Sequence, residues 1–193
     1  MDIRQKLFQY RSYTPIPFIL VMVFFSHPTV ASLAIGIIVT GLGEFLRLWG
    51  VSIAGSETRT TGAVGGTFLV TTGPFAHVRN PLYLGNLLIY AGIGVMSYAL
   101  FPWFMAIALV YFVVQYSLIV SLEEEHLSTA FGDEYHRYRS SVGRFVPRLS
   151  KYGGGSSEQP GLDWKRGFAS EKRTLQAIAA IVVVLGIRWM MET

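Results

Sequence analysis

The sequence contains no cysteine among its 193 residues. This absence excludes disulfide bonds, thiolate metal sites and a cysteine nucleophile. Charged residues are also scarce, since they make up 15% of the chain, whereas the usual share is about 25%. Hydrophobic residues reach 51% and the mean hydropathy is +0.42. This composition is typical of a protein embedded in a membrane.

Several signatures of soluble enzymes are missing. The sequence has neither a P-loop nor a nucleophile elbow, and its glycines at 62, 65 and 66 lack the strand, helix and acidic partner of a dinucleotide fingerprint. The two large polar loops hold about 30 and about 50 residues, too few to bury the core of a nucleotide-binding domain. The histidines form no i, i+4 metal-binding pair, which disfavours a di-iron oxygenase. We expect neither a metal nor a nucleic acid as partner. The four histidines are His27, His77, His126 and His136.

Five apolar runs separate the polar segments. They cover about residues 15–25, 29–53, 83–100, 102–122 and 175–191. A bilayer core about 30 Å thick needs about 20 helical residues, so the first run is short and we expect it to form a tight hairpin with the second. The sequence therefore predicts an all-α, polytopic membrane helical bundle with about five transmembrane helices, forming one domain over residues 1–193.

The N-terminal residues leave two interpretations open. Asp2 and the lack of a small-residue cleavage site argue against a removable signal peptide, so we expect the first apolar segment to be retained. Arg4, Lys6 and Arg11 alternate with apolar and aromatic side chains. This pattern suits a short helix on the membrane surface and a frayed basic terminus equally well.

Basic residues predict the orientation in the membrane. Of the 16 Lys and Arg residues, all but Arg188 fall on the side of the N-terminus and the two large polar loops. The positive-inside rule therefore places that side in the cytoplasm. Residues 54–82 and 151–161 are rich in glycine, serine or threonine, and we expect a flexible loop and a linker there.

The second apolar run contains charges as well as glycines. Glu44 and Arg47 lie at i, i+3, so they can pair on one helix face. Charges at this depth usually face the interior of a bundle or a polar cavity. The alternative is an interfacial pair that reaches out to water. The glycines at 36, 41 and 43 would let neighbouring helices approach closely.

Two stretches beside the predicted spans carry the motifs. Residues 73–85 read GPFAHVRNPLYLG, and residues 123–147 read EEEHLSTAFGDEYHRYRSSVGRFVP. Together they resemble the paired motifs of the isoprenylcysteine carboxyl methyltransferase and phospholipid methyltransferase superfamily. A weaker similarity lies at 47–49, so the resemblance covers roughly residues 41–148. One departure is Asn80, which stands where the family usually has histidine; it can form hydrogen bonds but cannot carry a proton.

The resemblance implies S-adenosylmethionine as cofactor, held in a cytoplasmic pocket at the helix ends, with the methyl acceptor entering from the lipid. The cofactor carries a carboxylate, an ammonium group, a sulfonium and an adenine, so its pocket needs both signs of charge and flat apolar walls. Carried over residue by residue, the cofactor-binding candidates are His77, Arg79, Asn80, Pro81, Tyr83, Gly85, Glu123, Glu124, Tyr135 and Tyr138. The catalytic candidates are Glu124 and Arg144, and the substrate-binding candidates are Glu44, Arg47 and Arg144.

The two adjacent glutamates are not expected to be equivalent. Successive helical residues point about 100° apart, so only one of them can face the cavity. Leu127 and Phe131 continue the stripe of Glu124, which favours Glu124 as the cavity residue and as the base if the acceptor is an amine. Arg144 would steer or pair with an anionic acceptor.

Some of these candidate residues also have a purely structural explanation. Residues 79–81 could simply end a loop and start a helix at Pro81, and Tyr135 and Tyr138 could belong to an interfacial belt.

A sterol-reductase-like enzyme that uses NADPH and a non-catalytic membrane adaptor are alternative functions. The acceptor also stays open among a prenylcysteine carboxylate, a phosphatidylethanolamine amine and a small apolar thiol or isoprenoid.

Overall fold

The computed structural model of the chain describes residues 2–55, 69–156 and 158–192. This part of the chain is all-helical, as predicted. Its α-helices are α1 (Ile3–Tyr10), α2 (Pro15–Phe24), α3 (Val30–Ala54), α4 (Pro81–Ser97), α5 (Trp103–Ser141) and α6 (Trp164–Glu192), with a short 3₁₀ turn at Gly73–Ala76.

The five apolar runs coincide with α2 to α6. Three of these helices, α3, α5 and α6, are long and apolar enough to cross a membrane, whereas α2 has 10 residues and α4 has 17. At ~1.5 Å per residue, α4 approaches the thickness of a bilayer core and α2 falls well short of it. The chain is therefore a membrane protein with three long apolar helices and two shorter ones, the first of them short as expected.

Local sequence signals account for the helix boundaries. Thr29 and Ser32 form a reciprocal capping box at the start of α3. Pro15 and Pro81 lie in the first turns of α2 and α4, where the missing N–H has no helical partner to lose. Gly132 interrupts α5 with a positive φ of 48°, so the motif-bearing end of that helix changes direction there.

Close contact between α3 and α4 is the main contact of the bundle. A methyl group added to Gly43 would lie 2.6 Å from the backbone oxygen of Gly85, and one added to Gly36 would lie 2.5 Å from that of Gly92. Glycine is therefore required where these helices cross. The expectation for Gly41 was wrong, because a methyl group there meets no atom within 4 Å.

The N-terminal helix α1 is docked rather than frayed. Phe8 is buried in the main core together with Phe112 and Tyr116 of α5. Arg4 donates hydrogen bonds to Glu125 at 2.5 Å and to Ser121 at 3.4 Å. The helix therefore lies across the motif-bearing side of α5.

The segment 151–161, where a linker was expected, is not free. It belongs to residues 142–156 and 158–163, called here the strap, which run antiparallel to residues 69–80. Arg148 N–H donates to the His77 oxygen at 2.9 Å, and Tyr152 N–H donates to the Ala76 oxygen at 3.0 Å. Gln159 donates to the Leu69 oxygen at 3.1 Å. The glycine-rich composition predicted flexibility, but these backbone groups find partners in the facing loop. The expected flexible loop at 54–82 is likewise ordered from residue 69, while its residues 56–68 lie outside the described part.

Orientation gives the first testable prediction. Epitope tags inserted at 54–82 and at 151–161 are expected to be accessible from the cytoplasm, because nearly all basic residues lie on that side. A tag in the turn at residues 98–102 should report the opposite side. The measurement is tag accessibility in intact cells and in inverted vesicles. An external signal from either large loop would overturn the proposed orientation.

Candidate functional site

Three adjacent glutamates of α5 reach three different parts of the molecule. Glu123 accepts a hydrogen bond from the Tyr83 hydroxyl of α4 at 2.6 Å. Glu124 pairs with arginines from the first motif and from the strap, and Glu125 pairs with Arg4 of α1. The rotation of about 100° per helical residue explains this divergence. The acidic triplet therefore joins three segments instead of merely ending a span.

Glu124 is the centre of a buried ion-pair cluster. Its side chain is only 5% exposed. Arg79 donates to Oε1 through Nη2 at 2.8 Å and through Nε at 3.2 Å. Arg144 donates to Oε1 through Nε at 3.2 Å and also bonds to Oε2 through Nη2. Two guanidinium groups favour the ionised form of the carboxyl group. The expectation that Glu124 serves as a base loses support, since a carboxylate held this way accepts protons poorly.

Arg79 also holds the end of α5. Its Nη1 donates to the backbone oxygens of Arg139 at 2.7 Å and Val142 at 2.5 Å. Its own backbone N–H donates to the Gly143 oxygen at 2.9 Å. A guanidinium group has enough donors to satisfy these carbonyls and the carboxylate together. Arg79 therefore fixes the relative position of the two motifs.

Two further residues of the first motif contact the strap. His77 Nδ1 lies 2.9 Å from the Arg148 oxygen, and the Asn80 side-chain amide donates to the Arg144 oxygen at 3.1 Å. Asn80 thus acts through a hydrogen bond, as expected from its chemistry, and its partner is the residue that also holds Glu124. The two motifs, which are about forty residues apart in sequence, meet in one place.

Pro81 and Gly85 occupy positions with clear structural tasks. Pro81 is buried at the start of α4. A methyl group on Gly85 would lie 2.7 Å from the Gly43 backbone oxygen and 2.5 Å from Cγ of Arg47. Helix initiation and helix packing are sufficient reasons for these two residue types.

Tyr83 and Glu123 begin a polar network that runs into the bundle. The rings of Tyr83 and Tyr116 are 4.8 Å apart, and the Tyr116 hydroxyl donates to that of Tyr90 at 3.3 Å. The Asn86 side chain lies near the Tyr116 hydroxyl. Polar groups in an apolar bundle need such partners, and this network supplies them.

The network continues to the charged pair of α3. Arg47 donates to Oδ1 of Asn86 at 2.6 Å and to Oε2 of Glu171 at 2.7 Å, and its Nε lies 3.7 Å from Oε2 of Glu44. Glu171 of α6 is fully buried. Glu44 and Arg47 therefore face the bundle interior, as one of the two interpretations expected, and not the interface.

Tyr135 and Tyr138 are not open stacking surfaces. Both rings are buried, in a small core with Leu69 and Val142. The Tyr138 hydroxyl donates to the Phe75 oxygen at 2.7 Å. Their aromatic character is already used in packing the strap and the end of α5, and neither residue belongs to an exposed interfacial belt.

Sequence reasoning missed several residues of this region. Glu171 lies far along the chain, in what looked like a plain final span, and Asn86 and Tyr116 lie within apolar runs. Glu134 lies inside the second motif stretch but was not among the candidates, and its Oε1 is buried without a hydrogen-bond partner among the described residues. A polar residue inside an apolar run was the one available signal for Asn86 and Tyr116.

Among the residues that the structure describes, no group of three or more His, Asp or Glu side chains is placed to hold a metal ion. The charged groups of the site are instead arranged as ion pairs. In this arrangement, two guanidinium groups hold the Glu124 carboxylate at the place where the two motifs meet.

Comparison with known families gives a match over more than half of the chain. The phospholipid methyltransferase family model matches residues 31–134. This range includes the first motif, the acidic triplet and the polar residues of α3 and α4 described above. It ends before Tyr135, so Arg144 and the strap lie beyond the matched part.

Two curated relatives are similar to the chain. The cobalt-zinc-cadmium resistance protein CzcN of Cupriavidus metallidurans is 33% identical over 126 residues, which cover 65% of this chain and 53% of that protein. The nickel-cobalt-cadmium resistance protein NccN of Alcaligenes xylosoxydans xylosoxydans is 30% identical over 125 residues, which cover 64% of this chain and 54% of that protein. The chain thus spans about half the length of these relatives. No solved structure matches it.

Proposed function

Because the chain belongs to the phospholipid methyltransferase family, we propose that it uses S-adenosylmethionine to methylate a lipid-borne or lipophilic acceptor in the membrane. The observation that carries this proposal is the cluster of Glu124, Arg79 and Arg144, where the two motifs meet at the end of an apolar span. An adaptor that only anchors in the membrane needs no such buried cluster, since burying charges is costly.

The residues present suit the charged groups of the cofactor. Arg79 and Arg144 bring two guanidinium groups to one carboxylate, so the carboxylate of the cofactor can share them. Arg144 is one-third exposed and therefore reachable. Glu134 has a buried carboxylate oxygen without a partner among the described residues, and it is our candidate for the ammonium group. When bound, the cofactor would supply the methyl group from its sulfonium.

Positioning is the main task that remains for the protein. Methyl transfer is a displacement in which the nucleophile, the methyl carbon and the sulfur must lie in line, so orientation provides much of the catalysis. Arg79 ties the first motif to α5 and to the strap, which keeps the binding groups in place. If the acceptor is an amine, Glu123 is the better base, because its partner at 2.6 Å is the neutral Tyr83 hydroxyl rather than a guanidinium group.

The decisive experiment is a pair of equilibrium binding measurements on the purified full chain in detergent. We expect S-adenosylmethionine to bind and NADPH not to bind. The reverse result would favour a reductase, and binding of neither would favour an adaptor. Membranes incubated with methyl-labelled cofactor, followed by separation of lipids and proteins, would then identify the acceptor class. Because both relatives are named as metal resistance proteins, the labelling should also be repeated in the presence of those metals.

Replacement of Asn80 tests the link between the first motif and the strap. Asn80→His should retain cofactor binding, because an imidazole N–H can donate to the same Arg144 oxygen. Asn80→Leu removes the donor and should weaken binding by about 1 kcal/mol, or about fivefold. The measurement is S-adenosylmethionine affinity in detergent. If both variants bind as the parent does, Asn80 contributes nothing to the cofactor site.

A further inference from the structure

The N-terminal helix α1 lies against the part of α5 that carries Glu123. Arg4 donates hydrogen bonds to Ser121 and to Glu125, which come two positions before and two positions after Glu123. Phe8 is buried in the main core of the bundle. This helix precedes the range that the family model matches, yet these contacts fix it beside the site.

Arg11 follows the last turn of α1, and its guanidinium group is held in place. The group lies over the Phe8 ring, 3.9 Å from the ring centroid, and its Nη1 donates to the Phe8 backbone oxygen at 2.7 Å. The Phe8 ring shares the main core with Tyr116, and the Tyr83 ring is 4.8 Å from that of Tyr116. The charge of Arg11 is within electrostatic range of both Tyr83 and Glu123. Arg11 is therefore fixed beside the pair of Tyr83 and Glu123.

Arg11 still has the capacity to bind an anion. Among the residues that the structure describes, Arg11 forms no ion pair with a carboxylate, and its bond to Phe8 leaves most of its guanidinium N–H groups without an acceptor. Arg79 and Arg144, in contrast, both pair with Glu124. Arg11 is also partly buried, and a cation in such a place is stabilised by an anionic partner. Arg11 is thus a cation beside Glu123 that a ligand can use.

We propose that Arg11 binds an oxyanion of the methyl acceptor. The oxyanion is either a phosphate next to a reacting amine or a carboxylate that is itself methylated, because the fork of guanidinium donors fits both groups. This inference rests on the proposed function and narrows its acceptor. A neutral thiol or an uncharged isoprenoid would leave Arg11 without a partner.

Three variants separate the charge of Arg11 from other effects. Arg11→Gln removes the charge and most of the donors. Arg11→Lys keeps the charge but loses the fork. Lys6→Gln is the matched control, since it removes one positive charge from an exposed position of the same helix. Thermal melting of each variant checks that α1 stays folded onto the bundle.

Binding to the purified full chain in a maltoside detergent, which carries no phosphate, tests the inference without any need for activity. One pair of probes is dioleoyl phosphatidylethanolamine and a dioleoyl aminopropane lipid, which has the amine but no phosphate. The other pair is N-acetyl-S-farnesylcysteine and its uncharged amide. We expect the parent to prefer the oxyanion-bearing member of one pair by about tenfold. Arg11→Gln should abolish this preference, Arg11→Lys should keep part of it, and Lys6→Gln should keep all of it.

Methyl transfer then tests whether the preferred probe is an acceptor. That probe should be methylated, and Arg11→Gln should raise its KM by about tenfold while S-adenosylmethionine affinity stays at the parent value. Methylation of the oxyanion-free probes alone would overturn the inference. A loss of S-adenosylmethionine affinity in Arg11→Gln with an unchanged probe preference would also overturn it, because Arg11 would then hold the cofactor.

The binding data alone can contradict the role of Arg11. A parent that binds none of the probes, or binds both members of each pair equally, would overturn the inference. Equal loss of both members in Arg11→Gln would do the same, since Arg11 would then only hold α1 in place. If the parent fails to bind S-adenosylmethionine, the proposed function fails, and the probe preference still decides whether Arg11 binds an oxyanion.

Discussion

Glu124→Gln is expected to weaken S-adenosylmethionine binding by about thirtyfold or more, which corresponds to about 2 to 5 kcal/mol. The buried carboxylate holds Arg79 and Arg144 together. Glutamine has nearly the same shape but no charge, so both guanidinium groups would lose their counter-ion in a poorly hydrated place. The groups that we propose bind the cofactor on both motifs would then lose their fixed positions.

The neighbouring glutamates provide the controls for this experiment. Glu123→Gln keeps an oxygen that can accept from Tyr83, so its effect on cofactor affinity should be smaller. If the acceptor is an amine, this variant should lower the methyl-transfer rate instead. Glu125→Gln removes the ion pair with Arg4, in which the glutamate is 62% exposed. This variant should weaken cofactor binding by less than about 1 kcal/mol.

Affinity, methyl-transfer rate and thermal melting in detergent should be measured for all three variants. A variant that melts like the parent but binds cofactor poorly has lost a function of the site and not the fold. Equal and small losses for Glu123→Gln and Glu124→Gln would mean that the acidic triplet holds three segments together without contributing to cofactor binding. The assignment would then depend on residues 79–85 alone.

Gly85→Ala is expected to destabilise the protein by about 1 to 3 kcal/mol although it adds a single methyl group. That methyl would lie 2.7 Å from the Gly43 backbone oxygen, so α3 and α4 would have to move apart. It would also displace Arg47 from Asn86 and Glu171. The expected result is a lower melting temperature in detergent.

Gly41→Ala is the matched control for this substitution. It makes the same change on α3 at a position with no atom within 4 Å of the added methyl. Alanine favours a helix over glycine by about 1 kcal/mol, so its melting temperature should stay the same or rise. If Gly85→Ala melted like the parent but bound cofactor poorly, Gly85 would be a cofactor contact rather than a packing position.

The sequence by itself determined the all-helical membrane architecture and the location of the two motifs. Both depend on local properties. The length of an apolar run decides whether a helix can span a bilayer, and Pro15, Pro81 and the capping box at Thr29 mark helix starts without reference to distant residues. The spacing of the motifs was likewise readable in the chain, and the family comparison agrees with it.

Only the tertiary structure decided which partner each side chain has. The pairing of Glu124 with Arg79 and Arg144, and of Arg47 with Glu171, joins residues 20 to 124 positions apart. Such partners depend on how the helices cross and rotate, which an apolar run of nearly uniform hydrophobicity does not specify.

The same reason explains why the expectations for Gly41 and for the free linker failed. Gly41 and Gly43 look alike in sequence, but the rotation of α3 turns only Gly43 towards α4. The strap is rich in glycine and serine, yet its backbone N–H groups and the Gln159 side chain bond to a loop about seventy to ninety residues earlier. Local composition indicates whether a segment is able to be flexible or to pack closely. The contacts in the folded protein decide whether it does so, because each buried polar group must find a partner somewhere in the fold.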